Sequence, residues 1–208
     1  MIDLNKIYLF RMTHIDNISH IFQYGITHIK SANKNPNYKA IGDSSIISTR
    51  DTFPLSDRTL LGDYIPFYFW ARMPMLYVIQ KGFNGVAASK AKDIVYCTLS
   101  VQKVLDLNLN FKFTDGHAID SYSSFYHKDD INNIDNIVDF NAVKAMYWND
   151  NPNDLDKKRR KEAEFLLYQD VPPSAIIGYF VFCEEAKKKL TSIGIPEDKI
   201  SIRPNFYF

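Results

Sequence analysis

Cysteine is nearly absent: the 208 residues hold only Cys97 and Cys183. The two stand far apart inside apolar runs, with no cysteine or histidine at metal-ligand spacing. Neither a disulfide framework nor a zinc site can be read from them, and two buried thiols in a reducing compartment are expected. Net charge is small as well, a formal +1. That excludes a wholesale basic coat for nucleic acid but leaves room for a local patch. No apolar run reaches the roughly eighteen residues of a membrane span. The opening MIDLNKIYLF carries an early acid where a secretory leader would carry bases. A soluble, cytoplasmic protein with no membrane partner is the expectation. Glycine is scarce, with eight residues, and IGDSS, KGFNG and SIGIP match neither the dinucleotide nor the P-loop pattern. HExxH and GxSxG are missing too, so a nucleotide would have to be held by side chains and loops.

Aromatic residues are plentiful, with thirteen tyrosines and fifteen phenylalanines, and 46% of the chain is apolar. A chain of this length buries roughly 70% of its unfolded surface. One domain over residues 1–208 is therefore expected. KIYLF (6–10) reads as an opening strand, and the stretch 13–26 as a helix with a Thr13 or Asp16 cap and Gly25 at its end. Residues 31–63 are rich in Asn, Ser, Asp and Pro and show little periodicity. They read as a long functional connection. Residues 64–82 read as apolar strand material interrupted at Pro66 and Pro74. Residues 93–100 and 175–183 are strand-like, 111–118 a strand entering a turn at Asp115-Gly116, 101–108 and 184–194 helical, and 199–208 a closing strand. Short strands between uneven loops point to an α+β (mixed α/β) domain.

The densest charge lies in KKRRKEAEFLLYQD (157–170). As a helix it offers Lys158–Glu162 and Arg160–Glu164 pairs with the base first, the weaker order. As a strand it places Glu164, Leu166 and Tyr168 on one face and fixes a carboxylate at a cleft rim. The pattern leaves both readings open, and Glu162 shares the parity of Glu164. Arg50 in the long connection suits a clamp on a diphosphate. The bases 157–161, with Arg72 and Lys81, suit a phosphate track.

In sequence order, IYLFRMTHIDNISHIFQYGI, IGDSSI…R, LGDYIPFYFWARMPMLYVI, FTDGHA, YWND, RRKEAEFLLYQDVP and IRPNFYF closely resemble the DarT family. Its members are bacterial toxins that transfer ADP-ribose from NAD to a base of single-stranded DNA. The resemblance covers essentially the whole chain. It implies an ADP-ribosyltransferase fold, a split mixed sheet around an NAD cleft with flanking helices. It implies NAD as co-substrate, no metal, thymine or guanine as the acceptor, and an antitoxin that removes the mark. Glu164 and Arg50 would be catalytic. Arg11, Met12, Thr13, His20, His28 and Tyr68 would line the NAD site, under a covering loop at about 32–52. His117, Arg159 and Arg160 would face the DNA from a region at about 112–164. The family commonly has His-Ile-Thr at Arg11-Met12-Thr13, and an arginine there suits the NAD ribose, amide edge or phosphates. The same chemistry on RNA or protein, or a non-enzymatic nucleic-acid-binding domain, are the alternatives.

Overall fold

A computed structural model describes residues 3–149 and 152–208. Eight strands form one sheet: β1 (Tyr8–His14), β2 (Tyr64–Tyr68), β3 (Ile94–Ser100), β4 (Phe111–Thr114), β5 (Phe125–Tyr126), β6 (Glu164–Tyr168), β7 (Gly178–Val181) and β8 (Ile200–Ile202). Their spatial order is β5-β4-β6-β2-β1-β3-β7-β8. All neighbours are antiparallel except β7 and β8, so the sheet is mixed. The flanking helices are α1 (Ile18–Tyr24), α2 (Ser44–Thr52), α3 (Pro74–Lys81), α4 (Val101–Asp106), α5 (Ile134–Ile137), α6 (Phe140–Lys144), α7 (Lys157–Lys161) and α8 (Glu184–Ser192). None of the described helices is long and apolar enough to cross a membrane.

The sheet splits at its centre. β1 runs against β3 along its whole length, from Tyr8↔Ser100 to His14↔Ile94. Against β2 it aligns only at Phe10↔Tyr68. Beyond that point the strands part, and the Arg11 guanidinium crosses the gap to donate to the Pro66 carbonyl at 3.2 Å. One core joins the two halves, with Leu9, Val95 and Val181 in the same cluster as Phe67, Phe113 and Phe165. Every residue of β3 is buried, which is why IVYCTLS shows no alternation. Phe165 of β6 stacks on Phe111 with ring centroids 4.6 Å apart. Leu166 points to the other face, among Leu55, Leu61, Tyr64 and Ala118.

Several expected stretches differ: Thr13 and His14 belong to β1, α1 starts only at Ile18 after Asn17, and the closing strand keeps only Ile200–Ile202. Residues 31–63 are not structureless: α2 lies within them, and Pro54 bridges Leu60. α2 escaped detection because its one buried residue is Arg50, so there is no apolar stripe to find. It is held by its cap instead, Asp43 Oδ1 accepting from the Ser45 and Ile46 amides at 2.9 and 3.5 Å. In residues 64–82 only the first five form a strand. The rest turn into α3, with Pro74 in its first turn and Gly82, at φ 71°, ending it. Cys97 is buried as expected, and burial pushes its thiol up to about 12. Cys183 is only partly covered.

Candidate active site

β6 begins with Glu164, whose side chain has no exposed surface. A carboxylate there needs partners, since an unpaired buried charge is strongly destabilising. Arg50 Nη1 donates to Oε2 at 2.8 Å, and the Ala118 amide donates to Oε1 at 3.0 Å. His117 Nε2 lies 4.0 Å from Oε1. Locally, the Glu164 amide donates to Thr114 Oγ1 at 2.9 Å, and that hydroxyl donates to the Gly116 carbonyl at 2.6 Å. The strand start and the 114–118 turn are thereby tied together. Arg50 is itself buried, and its Nη2 has no hydrogen-bond partner among the described residues. A buried donor left open beside a carboxylate is costly unless a ligand takes it up.

Tertiary structure separates the two glutamates that strand parity could not. Glu164 meets Arg50; Glu162 sits at the end of α7, buried. Burial, reinforced by the charge of Glu164, pushes the Glu162 carboxyl above its ordinary range. Tyr68, paired across the strands with Glu164, is raised by burial and then by the same carboxylate.

Arg11, Thr13 and His20 come together around a cavity of about 20 Å³, which Asn35 and Tyr38 also line. That space admits no nucleotide, since ligand pockets run to roughly 300 Å³ or more. Met12 is not with the others: it points to the opposite strand face, into an apolar cluster with Phe10, Ile41 and Met73. His28 is engaged within the protein at both ring nitrogens, Nε2 with the Gly62 carbonyl at 2.7 Å and Nδ1 with the Lys30 amide at 3.1 Å. It holds the chain beside the site. Arg159 and Arg160 are neutralised internally, Arg159 by Asp115 and Asp156 and Arg160 by Asp139 and Asp154. Arg72 lies over the Phe208 ring and Lys81 near that of Tyr77. The expected continuous phosphate track is therefore largely consumed by internal contacts.

Sequence reading missed Asn17, which is completely buried. Its amide donates to Thr13 Oγ1 and the Lys39 carbonyl, both at 2.9 Å, and its oxygen accepts from the Lys39 amide at 2.8 Å. One side chain thus pins the 32–52 segment at Lys39. Its only sequence signal was a polar residue at the mouth of an apolar helix. Among the described residues, no cluster of three or more His, Cys, Asp or Glu side chains could hold a metal ion.

A family model described as "ssDNA thymidine ADP-ribosyltransferase, DarT" matches residues 10–208. The chain belongs to the DarT family. It is 30% identical to a DNA ADP-ribosyl transferase of Thermus sp. (strain 2.9), over 96% of this chain and 95% of that one. It is 32% identical to a DNA ADP-ribosyl transferase–DNA ADP-ribosyl glycohydrolase fusion protein of Thermosipho africanus, over 96% of this chain but 49% of the fusion. The Thermus sp. 2.9 DarT in complex with ADP-ribosylated ssDNA superposes with a TM-score of 0.84 at 27% identity, covering 97% of this chain and 96% of that one. The NAD+ complex of the same DarT gives 0.79 at 27% identity, over 97% and 98%. The split mixed sheet expected from sequence is borne out, as is the family.

Proposed function

We propose that this chain is a toxin that transfers ADP-ribose from NAD to a thymine of single-stranded DNA, releasing nicotinamide. The observation that carries the reading is the buried Arg50–Glu164 pair, with Arg50 Nη2 open, on a chain that matches the family from residue 10 to 208. Residues 1–208 act as one catalytic domain, with 32–52 covering NAD and 112–164 facing the acceptor.

The donor set fits NAD. Arg50 Nη2 is a free, charged donor for a ribose or phosphate oxygen. Glu164 is a fixed acceptor for a ribose hydroxyl, and Tyr68 offers a ring for the nicotinamide. As the nicotinamide–ribose bond breaks, its electron pair leaves with nicotinamide, and positive charge grows on the anomeric carbon. Glu164, held by Arg50 and the Ala118 amide, needs no reorganisation to stabilise that charge. A ring nitrogen of the base forms the new bond, and its proton passes to the carboxylate side of the site. Arg11 and Thr13 hold the dinucleotide in the gap between β1 and β2, with His20 at its edge. His117, 4.0 Å from Glu164, orients the base. The acceptor is unpaired because a duplex hides the reacting edge. Exposed rings support a single strand as well: Tyr122 and Tyr147 are 84% and 75% exposed within the acceptor-facing region. The Thermosipho relative joins such a transferase to a glycohydrolase. A separate antitoxin that removes ADP-ribose is the corresponding partner here, and the cytoplasm, which supplies DNA and NAD, is the place of action.

The test incubates the protein and NAD with thymine-containing and thymine-free single strands, duplex DNA, RNA and protein. Intact mass then reports any added ADP-ribose. Addition only to thymine-containing single strands is expected, and Glu164→Gln abolishes it. Modification of guanine would correct the base; modification of RNA or protein alone would overturn the DNA reading.

A further inference from the structure

Arg159 lies in α7, five residues before Glu164, and its side chain is 13% exposed. A guanidinium has five N–H donors. Nη1 donates to Asp115 Oδ1 at 3.0 Å and to Ser123 Oγ at 3.1 Å. Nε and Nη2 donate to the two oxygens of Asp156 at 2.7 and 2.8 Å. Four donors are therefore spent inside the protein. The Arg159 carbonyl also accepts from the His117 amide at 2.9 Å. Both ends of the residue grip one short turn, 115–123.

Gly116 completes the contact. A β carbon on it would fall 2.2 Å from Arg159 Nη1 and 2.8 Å from Ser123 Oγ. Only a residue without a side chain lets the guanidinium lie so close on the backbone. The next two residues are His117 and Ala118, the two that meet Glu164 Oε1, at 4.0 and 3.0 Å. From the guanidinium to the Ala118 amide that binds the carboxylate, the path runs through the backbone of one turn.

We propose that Arg159 and Gly116 form a lock that positions the acceptor side of the site, and that Arg159 is not a contact to nucleic-acid phosphate. The lock sets where His117 and the Ala118 amide stand relative to Glu164, and so where the attacking base is held. This inference rests on the transferase reading above. A displacement of about 1 Å at such a position is worth up to about a hundredfold in rate.

Arg159→Lys keeps the charge but cannot reproduce the fork of donors. Gly116→Ala changes no charge at all. Both are assayed for transfer to a thymine-containing single-stranded oligonucleotide, with kcat and KM for the oligonucleotide measured at several salt concentrations. Expected for both is a fall of about tenfold or more in kcat. KM and its salt dependence stay close to wild type, because no phosphate contact is lost. If Arg159→Lys keeps kcat, or if Arg159→Ala chiefly raises KM and lowers the salt slope by about one unit, Arg159 is a phosphate contact and the proposal fails. It fails too if Gly116→Ala transfers normally. Thermal melting checks folding. Should these variants not fold, Ser123→Ala removes one hydrogen bond of the lock. It must lower kcat by about two- to fivefold without raising KM, and unchanged transfer there also overturns the lock. Wild-type protein that transfers nothing to DNA would sink the transferase reading instead.

Discussion

Removing either member of the Arg50–Glu164 pair should cost far more stability than removing a surface ion pair. Glu164 is completely buried and the Arg50 side chain is 9% exposed, with 2.8 Å between donor and acceptor. Exposed pairs are worth about 0–1 kcal/mol. Breaking a buried pair leaves an uncompensated charge and costs about 3–5 kcal/mol. Glu164→Ala strands a guanidinium that already has one open nitrogen, and Arg50→Ala strands a carboxylate held only by the Ala118 amide. For a chain of this size, 1 kcal/mol moves Tm by about 2–4 °C. Each single variant should therefore melt roughly 6–20 °C below wild type. The double variant leaves no stranded charge and should be destabilised by about 2 kcal/mol or more less than the sum of the singles. Urea unfolding of the four proteins at pH 7 gives the cycle. Single effects below about 1 kcal/mol, or strict additivity, would refute the buried-pair reasoning. The same logic makes Glu164→Gln the better probe of chemistry, because its amide removes the charge and keeps the shape. On the proposed reading, transfer should be lost in all of these variants.

Asn17→Ala frees the 32–52 segment by removing its two hydrogen bonds to Lys39; with that segment as the proposed cover over NAD, KM for NAD should rise about tenfold, and proteolysis within 31–40 should quicken. An unchanged KM would remove Asn17 from any role in closure. Glu162 has a folded pKa above its unfolded value, so its contribution is fully present below about 4.5 and is lost as pH rises through the raised value. Glu162→Gln should therefore stabilise the protein at pH 7 and not at pH 4, as read by denaturant unfolding; equal effects at both would be contrary. The buried Lys161 ammonium, brought down to about 8 by burial, should show that midpoint by NMR of its side chain, and a midpoint above 10 would show it solvated. Phe165→Ala, which opens a hole against Phe111 and Phe69, should cost about 3–5 kcal/mol; a cost under 1 kcal/mol would mean that the sheet closes over the gap.

Much of the architecture was legible because packing and periodicity agreed. β3, β4, α4 and α8 fell where their apolar spacing placed them, and the α+β class followed. α2 and α3 were not legible, for opposite reasons. α2 buries only a charged residue, so its helix is invisible to any apolar pattern. α3 opens on a proline, which reads as a break until its φ is known to suit a first helical turn.

The candidate site divides in the same way. Sequence by itself determined the family, whose motifs put Arg50 and Glu164 forward separately as candidates, and the absence of a glycine-rich phosphate cradle. Local chemistry and ordered motifs are written along the chain and need no third dimension. Strand parity left two glutamates two residues apart equivalent; the family motif favoured Glu164, and the fold is what brings that carboxylate against Arg50. Alternation has a period of two and cannot tell residue 162 from residue 164. The fate of the basic run was also a tertiary matter. Along the chain, 157–161 looks like a surface for polyanions; in space, aspartates from 115 to 156 close around Arg159 and Arg160 while Lys161 turns inward to the Val143 and Ala145 carbonyls. A charge shows its sign in the sequence, but its partner is chosen by the fold, because opposite charges far apart in the chain attract only once packing brings them within a few ångströms.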